Sequence, residues 1–220
     1  MKPVKALILG ILLLVPILIF IFISVFGTHH FSLDTLYPKL DDNGQVVYNS
    51  AGDTVFHTVP YFEMLTQTGD TLKQTDLNDV AYVAHFFDPS CPSPCQNIFT
   101  KIVRLQEAYE NIPGFEIVSI SRMPLEDSLQ VLAKLSDHYH VNADKWHLVT
   151  GDAPETKALN QGLFPEFYRT NKNVENLSDQ LVLVDKEKKI RGVYSANSIK
   201  EIDRLITEIN VLLDEYSKRK

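Results

Sequence analysis

Hydrophobic residues follow two periods along the chain after residue 45. Short runs rich in β-branched and aromatic residues have the length of buried strands, and they lie at residues 80–87, 115–121, 146–151, 181–185 and 190–194. Longer segments with apolar residues every three or four positions predict helices at residues 96–110, 125–139 and 154–163, and a final helix capped by Ser198. Alternating strands and helices predict an α/β, thioredoxin-like order with a mainly parallel sheet covered on both faces, to which a final hairpin at residues 181–194 adds antiparallel strands.

Two polar turns precede the first of these central strands. Residues 49–53 and 67–70 are rich in Gly, Asn, Asp and Thr, and each separates two short runs of alternating apolar and polar residues. The pattern predicts two β-hairpins, which would form an N-terminal β extension of the domain. His57 and His85 fall within predicted strands, and we interpret both as structural histidines.

Residues 6–26 contain no charged side chain and consist almost entirely of Leu, Ile, Val and Phe. At helical rise this run spans about 30 Å of hydrocarbon, which predicts a single transmembrane helix. Lys2 and Lys5 precede it and no cation follows until Lys39, so the positive-inside rule places the N-terminus in the cytoplasm. A cleaved signal peptide is the rival interpretation, but the run is long for one and no Ala-x-Ala site follows it.

These boundaries predict four regions in the chain. They are a cytoplasmic N-terminus at 1–5, a transmembrane anchor at 6–26, a tether at 27–45, and a thioredoxin-like domain at 46–220 that is periplasmic or otherwise extracytoplasmic. The formal net charge of -7, with no cluster of basic residues, argues against a nucleic-acid partner. A hydrophobic fraction of 45% argues against disorder.

The only two cysteines, Cys91 and Cys95, lie where a predicted strand leads into a predicted helix. Pro94 between them suits the first turn of that helix. Unpaired N–H groups at a helix N-terminus stabilise thiolates, the form of cysteine that carries out redox or metal chemistry. A purely structural disulfide is the alternative, but it would close so small a loop that it contributes only about 2 kcal/mol. A zinc site is disfavoured because no second pair of ligands follows the motif.

From about Val59 to the C-terminus the chain resembles the Sco/SenC family, membrane-tethered thioredoxin-like proteins of respiratory-oxidase assembly. The resemblance rests on the following segments: Phe86-Phe87 running into Ser90-Cys91-Pro92-Ser93-Pro94-Cys95, Val118-Ser119-Ile120-Ser121, Trp146 before Leu148-Val149-Thr150-Gly151, and Leu181-Val182-Leu183-Val184-Asp185 with Arg191-Gly192.

Membership would imply copper as the metal, with Cys91 and Cys95 as its two sulfur ligands and a distal histidine as the third. The family's histidine position falls on Leu177, and no histidine follows His147. The family's usual Val-Asp-Pro is here Arg122-Met123-Pro124, and Gln96 replaces a usual proline. The chain is therefore a divergent member by resemblance.

The leading hypothesis is thiol–disulfide exchange by Cys91 and Cys95, with Cu(I) handling, during assembly of cytochrome c oxidase. The expected partner is an oxidase subunit or another thiol/disulfide protein, and an oxidoreductase activity stays open. One alternative is a copper chaperone without turnover, whose third ligand comes from a nearby histidine, Met123 or a partner. Others are a degenerate scaffold and a thiol peroxidase. The peroxidase is disfavoured by Ala84 and Asp88, where such enzymes carry Pro and Thr or Ser.

Overall fold

The computed structural model describes residues 12–22, 32–88, 94–122, 125–170, 177 and 179–218. Within these ranges one sheet contains β1 (Glu63–Thr66), β2 (Thr71–Lys73), β3 (Ala81–Phe87), β4 (Phe115–Ser121), β5 (Trp146–Thr150), β6 (Gln180–Val184) and β7 (Ile190–Ser195). The helices of the same domain are α1 (Pro94–Tyr109), α2 (Leu125–Tyr139), α3 (Ala153–Leu163), α4 (Pro165–Arg169) and α5 (Ile199–Lys218). A 3₁₀ turn, Gln74–Leu77, follows β2.

The strands lie in the order β2-β1-β5-β4-β3-β6-β7. Parallel pairing is confined to β3 with β4 and β4 with β5, and the other four pairings in the described sheet are antiparallel. The prediction of a mainly parallel sheet is therefore wrong. The predicted antiparallel final hairpin, β6 with β7, is confirmed. The N-terminal hairpin also joins the central strands in the antiparallel sense, with β1 beside β5, which the alternation of strands and helices could not reveal.

The sheet is buried on both faces, as the apolar runs predict. Side chains alternate along β3, so that Val83 and Phe87 pack in the cluster under α1, α2 and α5, whereas Tyr82 and Phe86 pack in the opposite cluster. The opposite cluster includes residues of α3 and of the N-terminal hairpin β1–β2. The carboxyl end of β3 thus lies between two apolar layers at the centre of the sheet.

Most predicted elements appear within a residue or two of their expected bounds, and β4 and α2 match them. The hairpin predicted around residues 49–53 is present only as isolated antiparallel bridges, including Tyr48 with Thr54. The hairpin β1–β2 is confirmed, with Met64 opposite Leu72. Helix α4 was not predicted, because five residues are too few to show a period.

Within the described residues, 33–218 form one compact unit, whereas residues 12–22 and 32 belong to a second unit. The beginning of the larger unit is held by buried charges, since Arg191 donates from Nε to the carbonyl oxygen of Asp34 at 3.1 Å and from Nη2 to that of Leu33. The same guanidinium lies 3.2 Å from carboxylate oxygens of both Asp185 and Glu215. This cluster ties residues 33–34 to β7 and α5.

Part of the predicted membrane span, residues 12–22, is helical, and the remainder of 6–26 lies outside the described residues. Among the helices described, none is both long enough and apolar enough to cross a membrane.

Candidate functional site

The cysteine motif follows the carboxyl end of β3, the strand that pairs with β4 on one side and β6 on the other. Cys91 lies outside the described residues. The backbone of Cys95 lies in the first turn of α1, which begins at Pro94, as the prediction of a helix-starting proline requires. The second cysteine therefore occupies a helix N-terminus, where backbone N–H groups favour a thiolate.

Beneath this helix, a buried polar network crosses the three central strands. His85 of β3 is fully buried, and its Nδ1 lies 3.1 Å from the hydroxyl oxygen of Ser119 on β4. The same oxygen accepts a hydrogen bond of 2.7 Å from the indole N–H of Trp146 on β5. The other ring nitrogen of His85, Nε2, has no hydrogen-bond partner.

Aromatic rings surround this network and exclude water from it. The ring of His85 stacks on Phe87 and meets the edge of Phe99, with 5.9 Å between centroids in both pairs. Phe99 in turn packs against Tyr139 and Trp146. Burial among these rings lowers the pKa of His85 from its ordinary 6.5 to about 3, because an apolar site disfavours the imidazolium. His85 is therefore neutral at physiological pH.

Arg122 follows the carboxyl end of β4 and lies beside the end of β3, with its backbone N–H donating to the carbonyl oxygen of Phe87 at 3.1 Å. Its guanidinium lies over the Phe86 ring, 5.6 Å from the centroid, and its Nε and Nη2 atoms have no hydrogen-bond partner. Burial lowers the pKa of Arg122, while Tyr168 and Asp88 act in the opposite direction. A partly buried cation therefore lies beside the carboxyl end of β3.

Leu177, at the position where the family resemblance places a histidine ligand, is 1% exposed and packs in the apolar cluster that contains Phe86. It offers no donor atom to a metal. Met123 lies outside the described residues.

Two other histidines contact residues that are distant in the sequence. His57 Nε2 lies 2.8 Å from the carbonyl oxygen of Gly162, and His147 Nε2 lies 2.7 Å from a carboxylate oxygen of Glu116. Across the described part of the chain, no three His, Cys, Asp or Glu residues come together as a metal site.

A central strand that ends in a Cys-x-x-x-Cys segment and continues into a helix, within a sheet flanked by helices, defines this domain as thioredoxin-like. The motif follows the carboxyl end of β3, and Arg122 follows the carboxyl end of the neighbouring strand β4.

The chain belongs to the SCO1/SenC family, whose sequence model matches residues 51–214. The resemblance inferred from the cysteine motif and its landmarks is thereby confirmed. None of the curated proteins matches the chain by sequence.

Solved structures of Sco proteins share the fold. BsSco, described as having a disulfide switch, is 21% identical with a TM-score of 0.59, and the match covers 71% of this chain and 93% of BsSco. Copper-bound ScoI of Arabidopsis thaliana is 20% identical with a TM-score of 0.53, covering 70% of this chain and 98% of ScoI. Copper-bound yeast Sco1 is 18% identical with a TM-score of 0.53, covering 70% and 93%.

Two features of the site could not be predicted from the sequence. The prediction that His85 is a core or edge histidine is confirmed by its burial. Its network could not be predicted, because Ser119 is 34 residues from His85 and Trp146 is 27 residues from Ser119. Arg122 was noted only as a departure from the family pattern. Its signal was a charged residue directly after an apolar strand.

Proposed function

We propose that this protein is a membrane-tethered Sco protein that uses Cys91 and Cys95 for thiol–disulfide exchange and Cu(I) handling in cytochrome c oxidase assembly. The observation that carries the proposal is the position of the second cysteine, in the first turn of α1 directly after the central strand, in a chain of this family. A helix N-terminus stabilises the thiolate that attacks a disulfide or binds a soft metal.

In the redox step, the thiolate of Cys91 attacks a disulfide of the partner protein. A mixed disulfide forms between Cys91 and one partner sulfur, and the other partner sulfur leaves as a thiolate. The thiolate of Cys95 then attacks Cys91, which forms the intramolecular disulfide and releases the second partner thiolate. Two electrons pass from the cysteine pair to the partner, whose disulfide is reduced.

Copper fits the donor chemistry of the pair in its reduced state. Two thiolates are soft ligands that suit Cu(I), and both would come from Cys91 and Cys95. Leu177 is buried at the family's histidine position, and its side chain has no nitrogen atom of the kind that favours Cu(II). Bound copper would be held for transfer to an oxidase subunit, in agreement with the copper-bound states of two Sco neighbours.

The apolar run at residues 6–26 supports tethering, with the N-terminus in the cytoplasm and the domain outside it. We expect alkaline phosphatase fused after Lys220 to be active in a bacterial host, and a cytoplasm-dependent reporter at the same site to be inactive. The opposite pair of activities would refute the proposed topology.

The redox proposal is tested by equilibrating the full chain, purified in detergent, with glutathione buffers of graded potential. Free thiols are then alkylated and the protein is weighed by mass spectrometry. We expect a single two-electron transition between a dithiol and an internal disulfide. In the matched Cys91→Ser and Cys95→Ser variants this transition disappears. Two thiols that stay free across the whole series would contradict the redox function.

Copper handling is tested separately on the same reduced samples. Metal analysis after Cu(I) loading is expected to give one copper per wild-type chain, and to give much less for Cys91→Ser and Cys95→Ser. Equal copper in all three proteins would refute a thiolate site. A pair that binds Cu(I) but never forms a disulfide would instead identify a copper chaperone without turnover.

A further inference from the structure

A cavity of about 420 Å³ lies between the N-terminal segment of the domain and helix α4. Residues 37–40, Gly44 and His57 line one side, and Pro165, Glu166 and Arg169 line the other. Small-molecule sites of proteins have volumes of about 300 to 1,000 Å³ and combine apolar surface with a few charged or polar groups. The cavity therefore has the size and the mixed lining of a binding site.

The N-terminal wall of this cavity is fixed by a ring of three backbone hydrogen bonds. The N–H of Lys39 donates to the carbonyl oxygen of Val55 at 2.8 Å, that of Val55 to Val47 at 2.9 Å, and that of Val47 back to Lys39 at 2.9 Å. Three segments spaced eight residues apart thus pair with one another in a closed cycle. A wall that is ordered before binding loses little conformational freedom when a ligand arrives.

Tyr37, at the start of the same wall, has an uncommon backbone conformation. Its φ of 60° lies in the left-handed region, which bulky residues rarely occupy. The N–H of His57 donates to its carbonyl oxygen at 2.9 Å, and Nε2 of His57 is held 2.8 Å from the carbonyl oxygen of Gly162. Burial and the Glu166 carboxylate raise the pKa of the Tyr37 hydroxyl. Backbone strain and perturbed pKa values are both typical of functional sites.

The charges around the cavity favour an anionic ligand. Arg169 contacts both carboxylate oxygens of Glu166, at 2.7 to 3.0 Å, so this acid is already balanced within α4. Lys39 is exposed on the opposite wall and forms no ion pair with a carboxylate of the described residues. Two cations against one carboxylate leave a positive charge at the cavity, in a chain whose formal net charge is -7.

We propose that this cavity binds an organic carboxylate, whose charged group pairs with Lys39 and whose apolar body packs against Leu40 and Pro165. An ammonium group forms a charge-assisted hydrogen bond with a carboxylate, and the protonated hydroxyl of Tyr37 supplies a second donor. The ligand is a free acid or the carboxyl terminus of a peptide, since both present the same chemistry. This site goes beyond the proposed redox and copper function and does not depend on it.

Nuclear magnetic resonance of the full chain in detergent tests the site, because the His57 side chain lines the cavity. In protein labelled with ¹⁵N-histidine, the His57 ring signals are those that disappear in His57→Gln. The probes are 4-methylpentanoate, N-acetyl-leucine and N-acetyl-leucinamide, which share an apolar body, although only the first two carry a carboxylate. At pH 7 we expect both carboxylates to shift the His57 signals saturably, and the amide to bind about tenfold more weakly. The tighter of the two carboxylates then distinguishes a free acid from a peptide terminus.

Lys39→Gln removes the cation and leaves the backbone ring in place. We expect this variant to bind both carboxylates about tenfold more weakly than wild type. Lys73→Gln is the matched control, because Lys73 is a 48% exposed lysine of β2 outside the cavity, and its affinity should equal that of wild type. The absence of a saturable shift, equal affinity for acid and amide, or unchanged binding in Lys39→Gln would overturn the proposal. These outcomes do not involve Cys91 or Cys95, so this proposal and the redox function fail separately.

Discussion

At the scale of single residues, the region beneath α1 contains the buried polar side chains of His85 and Ser119. His85 is neutral because its surroundings are apolar, with no carboxylate among the causes that lower its pKa to about 3. Its ring packs between aromatic side chains, and one hydroxyl orients it. The lowered pKa of His85 affects the stability of the fold as well as its chemistry.

We expect His85 to weaken the fold in acid. Above pH 6.5 the side chain is neutral in both the folded and the unfolded chain, so it adds no pH dependence. Between pH 6.5 and about 3 the unfolded chain binds a proton that the folded chain does not, and the free energy of unfolding falls by about 1.4 kcal/mol per pH unit. Urea unfolding of wild type and His85→Gln across this range isolates the effect. If the free energies of unfolding of the two proteins change equally with pH, the expected effect of His85 is contradicted.

Leu177→His is expected to restore a nitrogen ligand at the family position. The wild-type side chain is 1% exposed, so a buried imidazole should cost about 1 to 3 kcal/mol of stability. Electron paramagnetic resonance should show a nitrogen ligand on Cu(II), and absorption should show thiolate-to-copper charge transfer. Leu177→Ala is the control for lost packing and should show neither signal. A wild-type Cu(II) spectrum that already contains nitrogen, unchanged in Leu177→His, would mean that another histidine is the ligand.

At the scale of elements, a close contact between Gly162 and the Pro60 ring determines how α3 packs. Gly162 lies at the end of α3, where an added Cβ would be 2.0 Å from Cδ of Pro60, and its carbonyl oxygen accepts from His57. Helix α3 therefore packs directly against Pro60, in the segment that leads into β1. Only glycine permits this contact, because a proline ring cannot turn aside as a flexible side chain would.

Gly162→Ala is expected to lower the free energy of unfolding by about 1 to 2 kcal/mol. Overpacking a tight contact costs about 1 to 3 kcal/mol, and the better helix propensity of alanine offsets up to about 1 kcal/mol of that loss. Urea denaturation measures the change. Gln161→Ala, at the exposed neighbouring position, should change stability by less than about 0.5 kcal/mol. A stabilised Gly162→Ala protein would show that Pro60 moves away at little cost.

At the scale of the whole molecule, a buried ionic cluster connects segments that are far apart in the chain. Arg191 on β7 contacts Asp185 and Glu215, and it also donates to the backbone of residues 33–34. Its side chain is 5% exposed. The cation thus balances the charge of two buried carboxylates, which also accept hydrogen bonds from the backbone N–H groups of Lys189 and Leu33.

Arg191→Met is expected to destabilise the protein by about 3 to 5 kcal/mol, because removing one member of a buried ion pair leaves uncompensated charge. Arg204→Met is the matched control. Arg204 pairs with Glu201 and Glu208 on the surface of α5 and is 45% exposed, so its loss should cost less than about 1 kcal/mol. Urea denaturation of both variants measures the difference. Equal effects would mean that the Arg191 cluster is solvated.

The sequence alone determined the type and order of most elements and the position of the cysteine pair, because these depend on local periods and on residues next to one another. Helix α4 is the exception, because five residues are too few to show a period. Membership of the SCO1/SenC family was also accessible, since the motif and its landmarks keep their order along the chain.

Only the tertiary structure decided which strands pair and which side chains meet. Both hairpins join the central strands in the antiparallel sense, and backbone hydrogen bonds carry no residue-specific signal for choosing such partners. The network of His85, Ser119 and Trp146 takes one residue from each of three adjacent strands. Burial turned an ordinary histidine into a neutral side chain with one unpartnered ring nitrogen. That change depends on the low polarity of its surroundings, which are assembled from distant parts of the chain.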